Sequence, residues 1–245
     1  MISQTLNFNS QNPKFVKHLS LLVAIYTFCF ILPTILLKRT VILPYFGLIP
    51  ISIFFTGSYF VLLDIITEVY GYYEAKKVIY AGLTAYSLFV WVVEAIIFYN
   101  PNIPNEHIVQ IHNNQAYSLI FNNIYVTWFS VLICTLVFDI LNARLLSKWK
   151  FLLNGKYFIV RSILSSSISM ILFSLVTNFF AFYQQIFSGD FEFYIKVNVI
   201  SLSAKLLSLL ICAYPAMILC KFLKKSENLD ITINTNIFLF NKVKK

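Results

Sequence analysis

Six long apolar runs constrain this chain more than any other feature of its sequence, at roughly 19–37, 48–69, 78–98, 122–146, 158–187 and 193–222. A helix needs about 20 mainly apolar residues to cross the hydrocarbon core of a bilayer, and each run reaches or approaches that length. Charge content agrees: 12% of residues are charged and 59% hydrophobic, against about 25% charged in soluble domains. The 25 Phe and 15 Tyr suit a surface that meets lipid tails and headgroups. The expectation is an all-α integral membrane protein with six transmembrane helices in one bundle. The first run follows a Lys-containing start but ends PTILLKRT, with no small-residue cleavage pattern, and reads as a retained span. No repeat or Pro/Gly-rich linker divides the chain, so residues 1–225 read as one domain and 226–245 as a polar cytoplasmic tail. Cys29, Cys134, Cys212 and Cys220 all lie in apolar runs and read as unpaired packing residues.

Lys and Arg are retained on the cytoplasmic side of a membrane, so their distribution sets the direction of the bundle. With the N-terminus inside, fifteen basic residues fall on inner segments and three, Lys38, Arg39 and Lys196, on outer ones, leaving Lys205 within a span. Both termini are therefore expected in the cytoplasm, and the Asn-rich stretch 99–117 outside. The net charge of +9 matches anionic headgroups, and no basic groove points to nucleic acid.

Ionisable residues inside the spans carry the functional question, because such groups usually face a cavity or a partner. Asp64 and Glu68 are spaced i, i+4 near the inner end of the second span, on one helix face, where like charges repel unless a cation or donor intervenes. Arg144 and Arg161, both near the inner boundary, are the expected counter-charges. Asp139 lies at a similar level, with Thr135 one turn away as a possible donor. Helix rise places Glu94 and Lys205 at matching depths toward the outer side, which predicts an ion pair or a shared ligand. In the fifth span Ser167, Ser174 and Asn178 share a face; small hydroxyl residues there are more often helix-packing contacts than ligands, while Asn178 can hydrogen-bond a polar solute. Asp64, Glu68, Asp139, Asn178, Lys205 and Glu94 are thus the candidate substrate-binding or coupling residues.

The sequence contains no HExxH, GxSxG or phosphate-binding GxxxxGK motif, and its three histidines lie outside the spans. Cys and His show no metal-ligand spacing, so neither a metal nor another cofactor is implied. What remains is binding and passage of a small molecule rather than catalysis.

The segment DIITEVYGYYEAKKVIYAGL, from Asp64 to Leu83, resembles the signature segment of the queuosine precursor transporter family, also called the vitamin uptake transporter (VUT) or YhhQ family. Weaker similarity falls at Lys38, Asp139, Arg161 with Ser165, and Lys205 with Pro215. The resemblance implies a six-helix fold similar to substrate-binding subunits of vitamin importers. It implies import of a 7-deazaguanine, such as preQ0 or preQ1, for tRNA modification, across a bacterial inner membrane and without an ATPase partner. Two alternatives stay open: a substrate-binding subunit that needs separate ATPases, and a non-transporting membrane scaffold. The sequence departs from the family pattern at Thr34 (Asn expected), Gly57 (Pro), Leu136 (Gln) and Phe173 (Asp). The last departure removes an acid from the polar interior.

Overall fold

Helix α2 (Ser52–Tyr70) is the hub of the molecule. In the computed structural model, which describes residues 17–44, 47–99, 108–122, 124–189 and 191–231, 72% of the apolar window of α2 is buried, against 28–44% for the other long apolar helices. It packs against α1 (Leu19–Ile35), α3 (Tyr72–Phe98), α6 (Ile140–Leu152), α7 (Phe158–Ala181) and α9 (Phe191–Glu227). The surrounding helices turn apolar side chains such as Phe28, Trp91, Ile211 and Tyr214 outward, as lipid-facing helices do.

Local sequence explains the helix boundaries that matter here. Gly71 adopts φ 85°, a region that favours glycine, so α2 ends and α3 begins across one residue. At Gly57 an added Cβ would lie 2.3 Å from Ser208 Oγ and 3.2 Å from the Leu209 amide nitrogen. The missing side chain is therefore what lets α2 and α9 approach. Helix α6 stops where Asn154 and Gly155 turn left-handed, with the Gly155 N–H donating to the Lys150 carbonyl at 2.8 Å. Before α6, α5 (Ile124–Cys134) runs through a π-helical turn, Thr135–Asp139. Such turns insert a residue into the helix and re-aim the side chains they carry.

Several expectations need correction. The first apolar run is followed by an antiparallel hairpin, β1 (Thr40–Leu43) and β2 (Gly47–Pro50), with Thr40 opposite Pro50 and Val41 opposite Ile49. The chain is mostly helical rather than all-α: alternation of apolar residues across VIL and LIP is too short a signal to separate from a loop. Part of the expected outer loop is helical, as α4 (Ile108–Ile120), while residues 100–107 lie outside the described residues. The fifth run breaks after Ala181 into the short α8 (Tyr183–Phe187). Helix α9 continues to Glu227, past the expected boundary at 225, and the tail beyond residue 231 lies outside the described residues. Five helical runs are long and apolar enough to cross a membrane, and α1, with 17 residues, is a shorter apolar helix.

Candidate functional site

Two turns of α2 carry the carboxylates Asp64 and Glu68, and the structure gives them separate partners. Glu68 is 1% exposed and takes a bidentate pair of hydrogen bonds from Arg161, Nη1 to Oε2 at 3.0 Å and Nη2 to Oε1 at 3.2 Å. Lys224 Nζ donates to Glu68 Oε1 at 2.7 Å. Lys150 Nζ donates to the Glu68 backbone carbonyl at 2.6 Å and lies 3.9 Å from its Oε1. The left-handed turn after α6 supplies two further acceptors for Arg161, the carbonyls of Lys156 (2.8 Å) and Gly155 (3.3 Å). One carboxylate thus binds the ends of α6, α7 and α9 to α2. Asp230 caps the group, 2.5 Å from Lys150 Nζ and 3.1 Å from Lys224 Nζ. Burial pushes the Asp230 carboxyl up, but the hydrogen bonds and charges of those two lysines prevail and hold it below the usual carboxylate range.

One turn along α2, Asp64 is fully buried and accepts three hydrogen bonds: from Asn142 Nδ2 (2.7 Å), Ser162 Oγ (2.5 Å) and Ser166 Oγ (2.7 Å). Ser162 and Ser166 are spaced i, i+4 on α7 and so present both hydroxyls to one point. Both oxygens of this carboxylate are satisfied, as a buried acid requires.

Asp139 is different. It ends the π-helical turn, is fully buried, and neither of its carboxylate oxygens has a hydrogen-bond partner among the described residues. The hydroxyls of Tyr26, Tyr59, Thr135 and Ser169 are also buried and unpartnered there. Tyr26, Tyr59 and Asp139 are neighbours, and α7, which carries Ser169, packs against the π turn. Tyr26 and Tyr59 make an edge contact with ring centroids 6.2 Å apart, and both lie within electrostatic reach of Asp139. Thr135 opens the same π turn, and Ser169 lies one turn of α7 beyond Ser166. Each unsatisfied buried polar group costs about 1–3 kcal/mol, and a core shaped only for stability rarely gathers several in one place. Phe30 and Phe60 wall the region, Phe30 edge-on to Tyr59 at 5.3 Å and Phe60 edge-on to Phe173 at 6.0 Å. Phe173, where the resemblance implies Asp, therefore gives the region an apolar wall.

The other sequence-derived candidates are distributed around this column. Lys205 Nζ donates to Ser174 Oγ at 2.7 Å and lies within electrostatic reach of Cys134. It forms no ion pair with Glu94: no salt bridge joins Glu94 to any cation among the described residues, which corrects the ion-pair half of that expectation. Glu94 instead lines a cavity of about 280 Å³ with Ser118, Phe121, Asn122 and Tyr125. Matching depth placed the two residues at one level but could not fix their angular position around the bundle. Arg144 is not a counter-charge to Asp64 or Glu68; its Nε donates to Tyr72 OH at 2.8 Å and its guanidinium lies over the Tyr72 ring. Thr135 does not donate to Asp139. Asn178 Nδ2 donates to Asn198 Oδ1 at 2.9 Å, linking α7 to α9. Of the other positions where the resemblance implies a different residue, Thr34 donates to Tyr86 OH at 3.1 Å, and Leu136 is 38% exposed.

Sequence reasoning missed Lys150, Lys224 and Asp230 around Glu68, Asn142, Ser162 and Ser166 around Asp64, and Tyr26 and Tyr59 beside Asp139. The serine pair had a usable signal in its i, i+4 spacing, and Tyr26 and Tyr59 in lying inside apolar runs, far from the interfaces where tyrosine usually concentrates.

Neither a curated protein nor a solved structure matches the chain. A family model does match it, over residues 50–220, which hold α2, α3, the π turn and the Glu68, Asp64 and Asp139 positions. The chain belongs to the family described as "Putative vitamin uptake transporter".

Proposed function

We propose that this protein imports a queuosine precursor, a 7-deazaguanine such as preQ0 or preQ1, through a six-span bundle in a bacterial inner membrane, with both termini in the cytoplasm. The observation that carries the reading is the buried column of acids inside a helical bundle of this family: Glu68 in a closed ion-pair cluster, Asp64 fully hydrogen-bonded, Asp139 unpartnered. A scaffold gains nothing from an unpartnered acid in its core, whereas a protein that holds a polar solute midway across a bilayer needs one. The fifteen-to-three distribution of basic residues supports a cytoplasmic position for the Glu68 cluster. There it acts as a gate: Glu68 joins α2 to three other helices, and a path to the cytoplasm opens when those contacts separate. Asp64 positions α6 and α7 against α2 above the gate. The deazaguanine fits the column chemically, since its ring N–H and exocyclic amine offer two adjacent donors to a carboxylate and its flat faces suit aromatic walls.

The chain works without a separate ATPase in this reading. Uptake of labelled preQ1 into sealed vesicles holding only this protein tests it, and uptake that requires added ATPase subunits favours the substrate-binding-subunit alternative. Glu94, Asn178 and Lys205 take no part in the Glu68 cluster, and Lys205, which like Asp139 lies within electrostatic reach of Cys134, is the one of the three we assign to meet a solute at Asp139.

A further inference from the structure

We infer that the recognition site is built by Tyr26 and Tyr59 around Asp139, with Thr135 on the same π turn and Ser169 on the adjoining α7, and that the two tyrosine hydroxyls select a planar heterocycle carrying an acceptor beside its N–H donors. This deepens the transport reading and rests on it for the ligand class. The assignment of residues rests on the structure.

Five side chains from four segments end in polar atoms that have no partner among the described residues and no access to solvent. They come from α1 (Tyr26), α2 (Tyr59), the π turn (Thr135, Asp139) and α7 (Ser169), so the site lies where helices meet and depends on their relative position. Tyr26 lies outside the family match, which begins at residue 50, so α1 contributes a contact that the matched segment lacks. Asp139, when ionised, only accepts hydrogen bonds, whereas the four hydroxyls both donate and accept. A ligand that satisfies the set must therefore offer at least two donors to the carboxylate and one or more acceptors to the hydroxyls. An amino-oxo heterocycle has that pattern; a simple amine lacks the acceptor, and a carboxylic acid would meet Asp139 with like charge. Gly82 adds to the fit on the α3 side: a Cβ there would lie 2.8 Å from the Tyr26 ring, so the Tyr26 side chain is held in place by backbone contact.

The π turn explains why the acid is unpartnered. In a regular α-helix Thr135 and Asp139 would be spaced to share a hydrogen bond at i, i+4. The wider π turn leaves both without one and directs them into the bundle.

The test compares Tyr26→Phe and Tyr59→Phe with Tyr86→Phe in the full-length purified protein. Tyr86 is an equally buried tyrosine whose hydroxyl is already engaged, accepting from Thr34 at 3.1 Å. Two readouts are needed: the Kd for preQ1 by calorimetry, and the Tm of the ligand-free protein. Loss of one ligand hydrogen bond weakens binding about 3- to 10-fold, and Asp139→Asn about 10- to 100-fold. Tyr26→Phe and Tyr59→Phe should show that loss while the ligand-free Tm stays level or rises, because the removed hydroxyl had no partner. Tyr86→Phe should leave Kd unchanged and lower the Tm. Wild-type binding of preQ1 with unchanged Kd in both Tyr→Phe variants overturns the site and leaves the transport reading standing. A wild type that does not bind preQ1 overturns the ligand class; the Tm comparison then still decides the site, which fails if Tyr26→Phe and Tyr59→Phe destabilise the ligand-free protein as much as Tyr86→Phe does.

Discussion

Replacing Glu68 by Gln tests the ion-pair cluster at its centre. The substitution keeps the shape but removes the only charge that Arg161, itself 1% exposed, pairs with among the described residues. It also turns an amide N–H2 toward donors that previously met an acceptor. Removing one partner of a buried ion pair typically costs about 3–5 kcal/mol, because the stranded charge stays buried. At about 2–4 °C per kcal/mol for a chain of this size, the Tm in detergent should fall by about 6–20 °C. The partners rank the neighbouring variants. Arg161→Met leaves Glu68 with Lys224 at 2.7 Å and Lys150 at 3.9 Å, so it should cost less than Glu68→Gln. Asp230 is 55% exposed, and after discounting for solvent its pairs with Lys150 and Lys224 are worth at most about 1 kcal/mol. In a double-mutant cycle Glu68→Gln and Arg161→Met should show a coupling of about 1–3 kcal/mol. Strict additivity, or an Asp230→Asn variant as damaged as Glu68→Gln, would refute the assignment of Glu68 as the centre of the cluster.

Further outcomes follow from individual contacts. Gly57→Ala should destabilise by about 1–3 kcal/mol through overpacking against α9, and Ser208→Gly should rescue it better than Ser208→Ala, because the added Cβ lies 2.8 Å from Ser208 Cβ as well as 2.3 Å from its Oγ. Lys205→Met removes one hydrogen bond, to Ser174, and should leave thermal stability within about 1 kcal/mol of wild type, strictly additive with Glu94→Gln. Because Asp230 titrates lower in the folded protein than its free value of about 3.9, its contribution is complete above that pH and is lost as pH falls through the lowered value; the difference in Tm between wild type and Asp230→Asn should shrink correspondingly in acid. A cysteine-free variant carrying Cys at Asn113, an exposed position on α4, should react with an impermeant thiol reagent in intact cells; labelling only after permeabilisation would reverse the membrane orientation.

Apolar run length carried most of the fold, because a bilayer dictates the length of any helix that crosses it. What it could not carry was angular position. Helix rise gave Glu94 and Lys205 one depth, yet Lys205 bonds Ser174 while Glu94 lines a cavity with Ser118 and Tyr125, and Arg144, read as a counter-charge of the acids, packs on Tyr72. Arg161 was reachable from sequence as a counter-charge, whereas Lys150 was hidden because its helix runs on to Leu152, beyond the apolar run that ends near 146. Lys224 and Asp230 were assigned by composition to the inner surface and the tail, and only the tertiary approach of the α9 terminus brings them to Glu68. For the polar interior, Asp64 and Asp139 stood out as charges within apolar runs, but their contrasting surroundings depend on a serine pair from α7 and on a π turn that leaves no pattern in a single sequence.

Restoration of queuosine in tRNA is the most direct test of transport, in cells that cannot make the precursor, are fed preQ1 and carry this gene as their only import route. Wild-type protein should restore the modified nucleoside, and Asp139→Asn, present in the membrane at the same level, should not. Failure of the wild type to restore it would contradict deazaguanine import, and full restoration by Asp139→Asn would contradict a working role for the unpartnered acid.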